Sequence, residues 1–151
     1  SRQQLIMSCT QFVATASAQV EDTFNLVDYM NSLVESLVND KDNIPEDILW
    51  EISEDFDTTE IVDLFERYLR VLGDKIYIEC DSEERNGNSM IWDWLCDQVR
   101  KDVMISNVME IHSATIDSRS GVDTSFGFYK KDGTWIGSDD MVELLEDNGL
   151  L

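Results

Sequence analysis

Basic side chains are scarce in this chain: 11 Lys and Arg stand against 32 Asp and Glu, for a formal net charge of -21 over 151 residues. Affinity for nucleic acid comes mainly from neutralising phosphates with Lys and Arg, so direct binding to DNA or RNA is disfavoured. The two adjacent basic pairs, Arg100-Lys101 and Lys130-Lys131, sit among many acids. Histidine is limited to His112, and cysteine to Cys9, Cys80 and Cys96, widely spaced and without a C-x-x-C pair. That scarcity argues against a four-ligand zinc site and fits reduced, buried thiols better than a disulfide framework. Neither a phosphate-binding G-x-x-x-x-G-K-[ST] loop, a G-x-G-x-x-G turn nor a G-x-S-x-G elbow is present. No apolar run reaches the ~18 residues of a membrane span, and the first residues lack a basic head followed by an apolar stretch and a small-residue cleavage site. A cytoplasmic protein is expected.

What remains is foldable. Hydrophobic residues make up 42% of the chain, including four Trp, enough apolar surface to offset ordering entropy despite the charge. The length suits one acidic domain, residues 1–151, with a single core.

Apolar residues recur at helical steps through the N-terminal half. Leu5, Cys9, Phe12, Val13, Ala16 and Val20 predict a first helix, and Phe24 to Val38 a second. Pro45 suits the first turn of a third helix with Ile48, Leu49 and Ile52 inward, and Trp50 on the same side. Asp57, with Glu60 three residues on, is the expected cap of a fourth, built on Ile61, Leu64, Phe65, Tyr68, Leu69 and Leu72 and ended by Gly73. The period then shortens. Strands are expected at 75–80, 108–116, 124–129 and 134–136, with a helix on Ile91, Trp92, Leu95, Val99 and Val103 between the first two and a last helix starting at Ser138. The expected fold is α+β: a helical half of about four helices, then a small, mostly antiparallel sheet of three to four strands with one intervening and one C-terminal helix.

The search for chemistry gives little. His112 and Glu110 lie two apart in an expected strand, hence on one face, where an imidazole beside a carboxylate suits a general base or pH switch. No motif places a nucleophile next to them. A calcium-loop spacing from Asp132 to Glu143 puts Gly137 sixth and Glu143 twelfth, but Ile136 fills a ligand place with no oxygen to offer. A hairpin followed by a capped helix explains those residues better. No enzyme, metal or cofactor is expected.

The acids are unevenly distributed. Between residues 40 and 66 stand Asp40, Asp42, Glu46, Asp47, Glu51, Glu54, Asp55, Asp57, Glu60, Asp63 and Glu66 against one base, Lys41. At helical spacing, Asp47, Glu51, Glu54 and Asp55 form an expected acidic ridge that Asp57, Glu60, Asp63 and Glu66 continue, neighbouring carboxylates being about 5–6 Å apart. Such a ridge imitates the charge density of nucleic acid, about one charge per 1.7 Å of duplex axis. Trp94, beside Asp93 and off the apolar stripe of its helix, is the expected exposed anchor, since Trp is enriched at binding hot spots. In charge, size and lack of a catalytic motif the chain resembles phage-encoded DNA-mimic proteins that block restriction or CRISPR complexes, a compositional resemblance that aligns no residues and carries over no site.

The expected function is therefore a non-enzymatic acidic protein that inhibits or sequesters a basic, nucleic-acid-acting protein, as a DNA mimic or as an immunity protein against a nuclease. The alternative is an acidic secretion chaperone or adaptor holding a client segment in a hydrophobic groove. A two-fold homodimer, the commonest oligomer, would double the acidic surface.

Overall fold

The computed structural model describes residues 10–40, 42, 44–46, 48, 57–82, 87–104 and 108–150. Strand β1 (Thr10–Gln19) comes first, followed by helices α1 (Leu26–Asn39) and α2 (Thr58–Glu66) and the hairpin β2 (Leu69–Leu72) and β3 (Lys75–Ser82). Helix α3 (Gly87–Asp102), the meander β4 (Val108–Asp117), β5 (Gly121–Lys130) and β6 (Trp135–Gly137), and helix α4 (Ser138–Asp147) complete the order. The six strands form one sheet in the order β2-β3-β1-β4-β5-β6, antiparallel throughout.

This overturns the expectation of a helical N-terminal half feeding a smaller sheet. From Thr10 to Gln19 the predicted first helix is instead the strand β1, placed centrally between β3 and β4, while Leu5 and Cys9 lie outside the described residues. Its alanines explain why. Ala14, Ala16 and Ala18 are buried and alternate with Val13, Thr15 and Ser17, a period of two, whereas the helical reading needed only every third or fourth residue of the same run. Alanine is the best helix former in isolation, but in a central strand packed by a helix its small side chain allows close approach, and tertiary packing decides.

The predicted fourth helix also divides. Its cap is as expected, with the Asp57 carboxylate accepting from the Glu60 N–H at 2.8 Å. The helix stops at Glu66, and Leu69 and Val71 turn inward from β2 while Arg70 and Leu72 point away. Gly73 (φ +62°) thus sits in a β2–β3 hairpin turn rather than at a helix end. A glycine at the first central position is what a type II′ turn requires. The second predicted helix is α1, capped by Asn25, whose side chain accepts from the Asp28 N–H. The predicted third helix, with Trp50, lies outside the described residues apart from Pro45 and a few neighbours, of which Ile44 and Ile48 are buried.

The later elements follow the sequence reading closely. Asp117 accepts from the N–H groups of Arg119 and Ser120 to turn β4 into β5. Gly133 N–H and Lys130 C=O close the turn into β6, and Asn148-Gly149 ends α4, with Gly149 at φ +69°.

All buried residues of the sheet lie on one face: Ala14, Ala16 and Ala18, Leu69, Ile76, Ile78 and Cys80, then Met109 and Ile111. Helices α1, α2 and α3 bring Met30, Val34, Ile61, Phe65, Ile91, Leu95 and Val99 to the same core. The opposite face carries Arg70, Tyr77, Glu79, Glu110, His112, Phe126 and Phe128, none of them buried. Among the described residues, no helix is long and apolar enough to cross a membrane.

Candidate functional site

Helix α2 buries Ile61, Leu64 and Phe65 and exposes Glu60, Asp63 and Glu66 at three-residue steps on the other side. Asp57 is exposed but engaged as the cap. Asp47, Glu51, Glu54 and Asp55, the first half of the expected ridge, lie outside the described residues. Helix α1 packs on α2 and adds exposed Asp28 and Glu35. Neither helix contains a Lys or Arg. The ion pairs Arg70–Glu79, Arg100–Asp97 and Lys101–Asp97 and the His112–Glu110 contact all belong to the sheet or to α3. The carboxylates of Asp28, Glu35, Glu60, Asp63 and Glu66 form no ion pair among the described residues, although Arg67, the C-cap of α2, directly follows Glu66.

Trp94 departs from the expected exposed anchor. It is half-buried, and its ring packs on Phe65 of α2 at 5.8 Å between centroids. Trp92 is inward as expected; its Nε1–H donates to the Ile78 carbonyl at 2.7 Å, and Phe12 meets its ring edge-on.

Trp94 also lines a cleft of about 480 Å³ between α3 and the outer half of the sheet. Asp93, Cys96, Asp97 and Arg100 follow at three- and four-residue steps along α3, and so share the side that faces the cleft. Met109, Ile111, Tyr129 and Trp135 form the sheet wall. Tyr129 and Trp135 are cross-strand partners with centroids 4.7 Å apart. The Trp135 indole occupies room left by the glycine pair Gly127 and Gly137, whose backbones it overlies.

The two acids of the cleft differ. Asp97 accepts from Arg100 at 2.6 Å and from Lys101 at 3.4 Å. Burial alone would raise its carboxyl, but those cations and hydrogen bonds prevail and hold it below the ordinary value. Asp93 has no hydrogen bond or ion pair among the described residues, and burial, reinforced by the nearby Asp97 charge, pushes it up. Burial likewise raises the thiols of Cys80, to about 11, and Cys96; both are free and uncharged at neutral pH.

On the open face, His112 Nε2 lies 2.7 Å from Glu110 Oε1 and the imidazole meets Phe126 at 4.7 Å. The predicted pair is thus in contact, with the His112 side chain 55% exposed. Thr15 is the cross-strand neighbour of His112 on β1, but the hydrogen bond of the imidazole among the described residues goes to Glu110 and not to a hydroxyl or thiol.

Sequence reasoning counted Trp135 among the candidate aromatic anchors but preferred Trp94, and it did not find the cleft. The signal was present in the β5–β6 hairpin: once residues 131–133 form the turn, counting outward pairs Tyr129 with Trp135 and Gly127 with Gly137. Comparisons with protein families, curated proteins and solved structures return no match.

Proposed function

We propose that this chain is a non-enzymatic acidic binding protein that docks on the basic, nucleic-acid-binding surface of another protein and thereby inhibits or sequesters it. One observation carries this reading: α1 and α2 pack together and expose Asp28, Glu35, Glu60, Asp63 and Glu66, with Arg67 at the end of α2 as the one base that borders them in sequence among the described residues. Such one-sided charge destabilises a compact chain through self-repulsion, and it accelerates encounter with a surface of opposite sign. A basic channel that normally grips a polyanion is the matching partner, which makes the acidic helices a stand-in for nucleic acid.

The test is capture from a lysate of the source cells on the immobilised chain at low ionic strength, with elution by a salt gradient. The expected eluate contains nucleic-acid-binding proteins that duplex DNA also displaces and that the Glu60→Lys, Asp63→Lys, Glu66→Lys variant fails to hold. Equal capture by the variant, or elution indifferent to salt and DNA, rejects the reading.

A further inference from the structure

The cleft beside α3 already holds one guanidinium in a particular way. Arg100 pairs with Asp97 at 2.6 Å while its Cζ lies 5.8 Å from the centroid of the Tyr129 ring, so the cation is met by a carboxylate and an aromatic face together. The rest of the cleft repeats those parts without the cation. Asp93 stands one turn before Asp97 on the same side of α3, and the indoles of Trp94 and Trp135 supply further aromatic surface. From this geometry we propose that the cleft is a binding socket for the guanidinium of an arginine side chain, held between Asp93 and the Trp94 and Trp135 indoles.

The chemistry of the lining selects this ligand. A phosphate-bearing ligand is repelled by the net charge of -21. A guanidinium is planar, weakly hydrated and suited both to stacking on an indole and to paired hydrogen bonds with a carboxylate, which an ammonium is not. Asp93 is exposed at the rim of the cleft and raised by partial burial and by Asp97, and an incoming cation offsets that neighbouring negative charge. The volume of about 480 Å³ leaves room for such a side chain. The proposal rests on the reading of a basic partner, whose surface would supply the arginine, and it adds a specific socket to the diffuse attraction of α1 and α2.

The test uses acetyl-arginine-amide as probe and acetyl-citrulline-amide as its neutral counterpart, followed on the whole chain by the indole N–H resonances of its Trp residues, assigned with single Trp→Phe variants. The arginine probe should shift the Trp94 and Trp135 signals saturably, while the citrulline probe has no effect. Asp93→Asn should weaken the arginine response about fivefold, the size of a single partly exposed charge pair, and Trp135→Phe should weaken it as well. Equal shifts from both probes, shifts that never saturate, or an unchanged affinity in Asp93→Asn overturn the proposal. Loss of capture on reversing the α2 acids, with no arginine response in the cleft, rejects the socket alone; an arginine response without any salt-sensitive capture keeps the socket and rejects the docking surface.

Discussion

Trp135 lies so close to Gly127 that a Cβ on the glycine would stand 2.4 Å from the indole Cη2 and Cζ2, and 2.6 Å from the Ile136 carbonyl. Glycine is therefore a condition of the cleft wall. Gly127→Ala should drive the indole out of place and lower stability by about 1–3 kcal/mol, the usual cost of overpacking. Near-ultraviolet circular dichroism should show the altered indole environment, and thermal unfolding the loss. Removing the ring as well, in Gly127→Ala with Trp135→Ala, should recover only the share of the clash owed to the indole, because the Ile136 carbonyl remains. An unchanged spectrum and midpoint in Gly127→Ala would refute the packing described.

Asp93 gives the cleft a pH dependence of determinable sign. The groups around it are Asp97, itself tied to Arg100 and Lys101, and the uncharged thiols of Cys80 and Cys96. Its carboxyl binds a proton more tightly in the folded chain than in the unfolded one, so stability declines as pH rises from the ordinary value of 3.8 through the raised one. Asp97 acts oppositely. Its stabilising pairing is complete above 3.8 and lost as pH falls through its lowered value. Asp93→Asn should therefore flatten the decline above 3.8 and leave the acid-side loss intact. Unfolding midpoints of both proteins across pH 3 to 7 check this, and parallel curves contradict it.

Trp92 joins the inner side of α3 to the sheet. With 5% of its surface exposed, its Nε1–H satisfies the Ile78 carbonyl. Trp92→Phe keeps an aromatic ring but removes the donor and leaves space beside Phe12. The expected loss is about 1–3 kcal/mol, the cost of a buried polar group deprived of its partner. At this chain length each kcal/mol lowers the midpoint by about 2–4 °C. Denaturant unfolding should show a lower midpoint with an unchanged slope.

The sequence is legible where local signals and tertiary packing agree. Asp57 caps α2 because a short polar side chain before an amphipathic run has one favoured use. The meander from β4 to β6 reads well because Asp117 and the Lys131-Asp132-Gly133 turn punctuate it. It fails for residues 10–19, where Phe12, Val13, Ala16 and Val20 satisfy a helical period while Ala14, Ala16 and Ala18 satisfy a strand period. Only the neighbours β3 and β4, distant in sequence, choose between them. The same ambiguity at Leu69 and Leu72 merged β2 into α2. The cleft was hidden for a further reason: Asp93 and Trp94 belong to α3 and Trp135 to β6, and their meeting depends on which sheet face α3 covers.

The acid excess itself makes a measurable demand on stability. Glu60, Asp63 and Glu66 are exposed on α2 and form no ion pair among the described residues, with Arg67 at the helix end as the nearest base in sequence, so much of their mutual repulsion is left to solvent ions to screen. Raising sodium chloride from 0.1 to 1 M shortens the Debye length from about 10 Å to about 3 Å. The unfolding midpoint should rise accordingly. Replacing the three acids by Lys changes the formal charge from -21 to -15, each substitution adding two. That variant should show a shallower salt dependence because repulsion is relieved, with the gain at 0.1 M salt partly offset because Glu60→Lys sets a cation against the helix dipole at the first turn of α2. If it is also unable to hold the basic partner, the acids are kept at a cost to folding because binding needs them. If it is more stable and binds equally well, the charge on α2 has no part in recognition, and the docking surface must lie elsewhere on the chain.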